Sequence, residues 1–178
     1  MNAIQEPARE RVWDPFVRVF HWSLVVSYLL AWVTAEEWDL LHEQLGWFVL
    51  TLLGLRLAWG LIGTRHARFG DFVRGPGTVR AYLGSLLRGD PEHHVGHNPV
   101  GGWMVLALIV TLAATALSGV LMVRGGEAWE DLHEGLANLS LALVAVHVLG
   151  VVVSSFAHRE NLIKAMLTGY KPGRNVDV

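Results

Sequence analysis

No cysteine occurs anywhere in the chain. That excludes disulfides, thiolate-held iron–sulfur clusters and the Cys-x-x-Cys-His attachment of a covalent haem, so any haem here is held non-covalently, through histidine. Acidic residues are missing from the interior of every long apolar run, and a basic residue lies deep in only one of them, at Arg56. Residues 1–12 are polar and carry neither the apolar core nor the small-residue cleavage site of a secretory leader, so no cleaved signal is expected. With a net charge of −2 and no basic stripe, nucleic acid is not an expected partner. No repeat, low-complexity tract or second composition stands out, and residues 1–178 read as one domain.

What the chain has in excess is apolar length. Hydrophobic residues fill 52% of its 178 positions and the mean hydropathy is +0.37, which is too apolar for an ordinary soluble domain. Spans of about 20 residues fall near 16–35, 41–62, 103–123 and 132–156, giving an all-α fold, an integral membrane four-helix bundle in contact with lipid. Asp14-Pro15 opens the first span, since aspartate caps free amides and proline is tolerated at the first helical position. The loop 64–99 carries turn signals at Gly75-Pro76-Gly77, Gly89-Asp90-Pro91 and Asn98-Pro99. Within it Val79, Tyr82, Leu83, Leu86 and Leu87 recur at helical spacing, so a short amphipathic helix on the membrane surface is expected between spans two and three.

Charge sets the expected topology. Glu36, Glu37, Asp39 and Glu43 follow span one without a Lys or Arg, and Glu127, Glu130, Asp131 and Glu134 stand against Arg124 alone before span four. Of the 14 Lys and Arg, 12 lie on the other side, so by the positive-inside rule both termini and the long middle loop are cytoplasmic. Trp13, Trp22, Trp38, Trp47, Trp59, Trp103 and Trp129 sit at or near span ends, as an interfacial belt does, although core packing would use them equally.

His133 and His147 lie on the last span with almost nothing polar between them. Fourteen residues of helix turn through about 1400°, some 40° short of four full turns, and rise about 21 Å. Both imidazoles therefore share a stripe at two depths. Partners at matching depths exist: His21, one to two turns into span one, is level with His147, and His42, at the outer start of span two, is level with His133. Singly, His21 reads as well as an interfacial residue, and His42 and His133 as loop residues. His147 does not, because an ionisable group deep in a span is costly and marks function. Two imidazoles per site among apolar helices, without carboxylate or thiolate, suit the axial positions of a b-type haem, whereas zinc usually takes four ligands. Gly46, Ser118 and Gly119 offer room for a planar ring, or simply for helix packing. Arg56 follows His42 by fourteen residues and so reaches the level of His21 and His147, where a haem propionate or a reduced quinone is its expected partner; snorkelling to the interface is the alternative.

Trp13-Asp14-Pro15 with Phe20-His21-Trp22, Leu41-His42-Glu43 with Gly46, Arg56, Gly96-His97-Asn98-Pro99 with Gly101-Gly102, and Leu132-His133-Glu134 through His147 carry a resemblance across nearly the whole chain. They resemble the bacterial cytochrome b561 and nickel–iron hydrogenase b-type cytochromes. The resemblance implies a bacterial inner-membrane bundle holding two haem b groups between helices one, two and four. It would carry electrons between quinones and a redox partner such as a cytochrome c or a dehydrogenase or hydrogenase subunit. His21 and His147 would then hold the cytoplasmic haem, and His42 and His133 the outer one. Two other functions fit the same frame: a stand-alone enzyme oxidising superoxide and reducing quinone, or a haem-bearing membrane anchor of a larger redox complex. Short acidic outer loops would repel superoxide and suit a basic redox protein. His66, His93, His94 and His97 lie in a polar loop without ordered ligand spacing and read as solvated residues, His97 also as part of the turn before span three, while His158 marks the membrane surface.

Overall fold

The computed structural model describes residues 9–89, 92 and 94–172, so the expected turn at Asp90-Pro91, the loop residue His93 and the basic tail residue Arg174 lie outside it. About four-fifths of the described residues are helical. Four helices are long and apolar enough to cross a membrane: α1 (Pro15–Thr34), α2 (Asp39–Ile62), α5 (Pro99–Gly125) and α6 (Glu130–Ala157). Between α2 and α5 come a short 3-10 turn, α3 (Phe69–Phe72) and α4 (Pro76–Leu87). After α6 comes α7 (Leu162–Thr168), and β1 (Arg9–Arg11) pairs antiparallel with β2 (Tyr170–Pro172), Glu10 opposite Lys171.

The helix ends follow local chemistry more than hydropathy. α5 begins four residues before the apolar run does, because the Asn98 side chain accepts from the Gly101 amide at 2.7 Å and Pro99 tolerates the first turn. α6 likewise begins ahead of its apolar run, with Glu130 and Asp131 in a first turn whose dipole favours them. Asp14 does more than cap α1. Its carboxylate accepts from the Val17 amide at 2.8 Å, from the Trp59 indole at 3.1 Å and from the Thr64 hydroxyl at 2.5 Å, fastening the start of α1 to the end of α2. Burial would raise this carboxyl's pKa, but the hydrogen bonds from Thr64, Val17 and Trp59 outweigh it and hold the group below the ordinary carboxylate range.

Large side chains such as Val19, Val33, Leu61 and Phe156 point outward, as a lipid-facing surface requires, while Phe20, Tyr28, Val49, Leu53, Ile109 and Leu112 form the core at mid-height. α1 packs on α2, α2 on α5, and α5 along α6, while Val144 of α6 packs against the core to which α1 gives Phe20 and Tyr28. A second small core of Val12, Trp13, Val17, Ala67 and Ala165 gathers both ends of the described chain on one side. There the Gly169 carbonyl accepts from the Val12 and Trp13 amides, and Arg18 donates to the Leu167 carbonyl. Gly169 has φ +90°, and a Cβ on it would come within 2.8 Å of the Trp13 carbonyl, so only glycine closes this clasp.

The expected helix in the middle loop is present as α4, but its apolar stripe is divided. Tyr82 and Ser85 are buried, with the Tyr82 hydroxyl 3.2 Å from His158 Nε2, while Leu83 and Leu87 face away from the bundle. Tyr82 anchors one edge of the stripe to protein, leaving the other edge for a different surface.

Candidate functional site

His42 and His133 stand at the same end of the bundle with ring centroids 6.1 Å apart and planes at 86°. Each has its Nδ1 engaged by a backbone carbonyl, His42 by Ala31 at 2.8 Å and His133 by Thr115 at 2.9 Å, with the Ser118 hydroxyl 3.1 Å from the latter nitrogen. A carbonyl only accepts, so Nδ1 carries the proton on both rings and Nε2 keeps its lone pair, the tautomer of a metal ligand with its outer hydrogen bond in place. α5 makes room for this: a Cβ on Gly119 would lie 3.1 Å from Cε1 of His133. Imidazole nitrogens bind metals at about 2 Å, which places a metal about 3 Å from each ring centre and the centres of two trans rings about 6 Å apart. The observed spacing matches, and these two residues could hold an iron between them.

At the other end lie His21, His147 and Arg56. The His21 ring is edge-on to Trp22 at 5.1 Å, and its Nδ1 is buried with no hydrogen-bond partner among the described residues. Arg56 does not snorkel. It is 3% exposed, donates from Nη2 to the Ala67 carbonyl at 3.0 Å, and lies with Cζ 4.9 Å from the Phe69 ring centre. Its Nη1 is buried and has no partner among the described residues, a geometry that leaves one half of the guanidinium fork for an anion. The carboxylate nearest in electrostatic effect is Asp14. Counting acids only inside the spans missed it, because it stands one residue before α1.

His97 differs from a solvated loop residue. It lies between Trp13 and Phe72, at 4.6 and 4.4 Å between ring centres, with a buried Nδ1 that has no partner among the described residues. Burial, reinforced by the charges of Arg56, Lys171, His147 and His66, pushes its pKa down to about 3, so it is neutral at physiological pH. Only its place in Gly96-His97-Asn98-Pro99 hinted at this, since a loop has no periodicity to show which side chains turn inward. His66 instead faces Asp71 at 3.4 Å. Among the described residues no group of three or more His, Asp or Glu could hold a metal ion.

Four apolar helices, three of which carry histidines at two depths, fit a class, the membrane cytochromes that carry b-type haem. Residues 12–169 match the family described as prokaryotic cytochrome b561, and the chain belongs to that family. It is accordingly a multi-pass membrane b-type cytochrome of electron transfer. No curated protein and no solved structure matches it.

Proposed function

We propose that the chain is a di-haem cytochrome passing electrons between membrane quinone and a redox partner protein at the opposite face. His42 and His133 hold the outer haem through Nε2, and His21 and His147 hold the inner one, with Arg56 serving its propionate or a bound quinone. The observation that carries this reading is the His42–His133 pair, at trans-imidazole spacing with both outer nitrogens already satisfied. When bound, each haem supplies a one-electron carrier. The protein's part is to fix the tautomers, hold the rings at two depths and keep the space between them free of water. Two haems per polypeptide are expected in a pyridine haemochrome assay; one or none would end the di-haem reading.

The bundle lies in the bacterial inner membrane with both termini cytoplasmic, a reading supported by the distribution of Lys and Arg and by the β1–β2 clasp that brings the two ends to one side. Leu83 and Leu87 of α4 then meet the lipid surface. The outer loops, rich in Glu36, Glu37, Asp39 and Glu43, suit a basic partner such as a cytochrome c, or a dehydrogenase or hydrogenase subunit of that charge. A reporter fused after Val178 should be active in its cytoplasmic form only. Activity of a periplasmic reporter there would exchange the sides of both haems.

A further inference from the structure

Seven residues of helix advance about 10.5 Å and fall only about 20° short of two full turns. Seven beyond His21 is Tyr28; seven beyond His133, and equally seven before His147, is Ser140. These two residues mark the level midway between the histidine layers, and they meet. The Tyr28 hydroxyl lies 2.9 Å from Ser140 Oγ, and both residues are buried, Ser140 completely. Ser140 has one hydroxyl proton and gives it to the Ala137 carbonyl at 2.7 Å, so Tyr28 is the donor between the two helices. The main packing partner of α6 is α5, and Val144 is its contribution to the core cluster around Tyr28.

We propose that the Tyr28–Ser140 hydrogen bond is the tie that holds α6 at cofactor-binding distance from α1, a positioning contact that serves both haem levels at once. This rests on the di-haem reading above. Between helices in lipid there is no hydrophobic drive to close a gap, because the tails are as apolar as the side chains, so a polar tie has an effect there that packing alone does not supply. The tie sits two turns from a histidine on α1 and two turns from each histidine on α6. A stiff helix pivoting at mid-height displaces both ends, so loosening the tie disturbs the inner and the outer level together.

The test is haem release from the detergent-purified chain to excess apomyoglobin, resolved by level in His133→Ala and His147→Ala backgrounds. Tyr28→Phe and Ser140→Ala should each speed release from both levels, by roughly 3- to 20-fold, the range of interhelical hydrogen bonds in membranes. The double variant should be no faster than the faster single, since one bond is lost in every case. Ser27→Ala is the control: Ser27 is as buried, but its hydroxyl bonds only to the Ser23 and Leu24 carbonyls of its own helix, and its loss should change nothing. Ser140→Ala removes a single atom, so the test stands even where Tyr28→Phe fails to insert. Faster release from one level alone, additive effects, or an equal effect of Ser27→Ala would overturn the tie. One haem per wild-type chain would instead overturn the di-haem reading beneath it.

Discussion

Alanine in place of His133 is expected to remove one haem of two, and with it a distinctive ferric spectrum, while the other haem keeps its ligands. The ring planes of His42 and His133 are at 86° to one another. If these two residues hold an iron at that angle, their rings would act equally on the two d orbitals that parallel imidazoles would split. A low-spin ferric centre held that way would give a strongly anisotropic, low-field electron paramagnetic resonance signal in place of a rhombic one. His133→Ala and His42→Ala should both abolish that signal and halve the haem content. His147→Ala should also halve the haem content yet leave the signal in place, because the two levels are about four turns apart. The alanine itself costs the fold little: it frees the Thr115 carbonyl and the Ser118 hydroxyl, but Ser118 also donates to Thr115 at 2.7 Å and so stays paired. A His133→Ala protein that retained two haems and the anisotropic signal would remove His133 from the ligand set.

How far the sequence carried is clearest helix by helix. The four spans and their order were legible because apolar length is a composition signal; most ends fell within two residues of the expected ones, and the largest shift, four residues at the start of α5, is where the Asn98 side chain caps the helix. The two-depth stripe of His133 and His147 was legible because a helix converts spacing directly into direction. Which neighbour meets that stripe is a tertiary matter. Charge-derived topology put His42 level with His133, and the structure brings their rings within 6.1 Å. That α6 packs chiefly along α5 left no trace in the sequence, since a helix face that meets another helix and one that meets lipid are both apolar. Tyr28 and Ser140 went unread for a related reason: a single hydroxyl in an apolar run has no period, and only the fold reveals that two such groups from distant positions satisfy each other. Asp14 was read as a cap and nothing more, although its second oxygen joins α1 to Trp59 and Thr64 across some fifty residues of chain.

Leucine in place of Arg56 is expected to lower the midpoint potential of the inner haem and leave the outer one nearly unmoved. A positive charge near the iron favours the reduced state, which carries one more electron. Over about 10 Å at an effective dielectric of about 20 the term is about 1.7 kcal/mol, or roughly 70 mV for one electron. The guanidinium holds its place by two contacts that need different chemistry, a donor to the Ala67 carbonyl and a flat cation against the Phe69 ring. Leucine removes both and the charge, so a fall in potential alone would not separate electrostatics from a shifted loop. Arg56→Lys does separate them, because it keeps the charge and gives up the fork. A lysine variant near the wild-type potential, beside a leucine variant well below it, would assign the effect to charge. If both variants fall equally, the fork and its grip on residues 67–69 are what matter, and if neither moves while two haems remain bound, Arg56 only fastens the loop to α2.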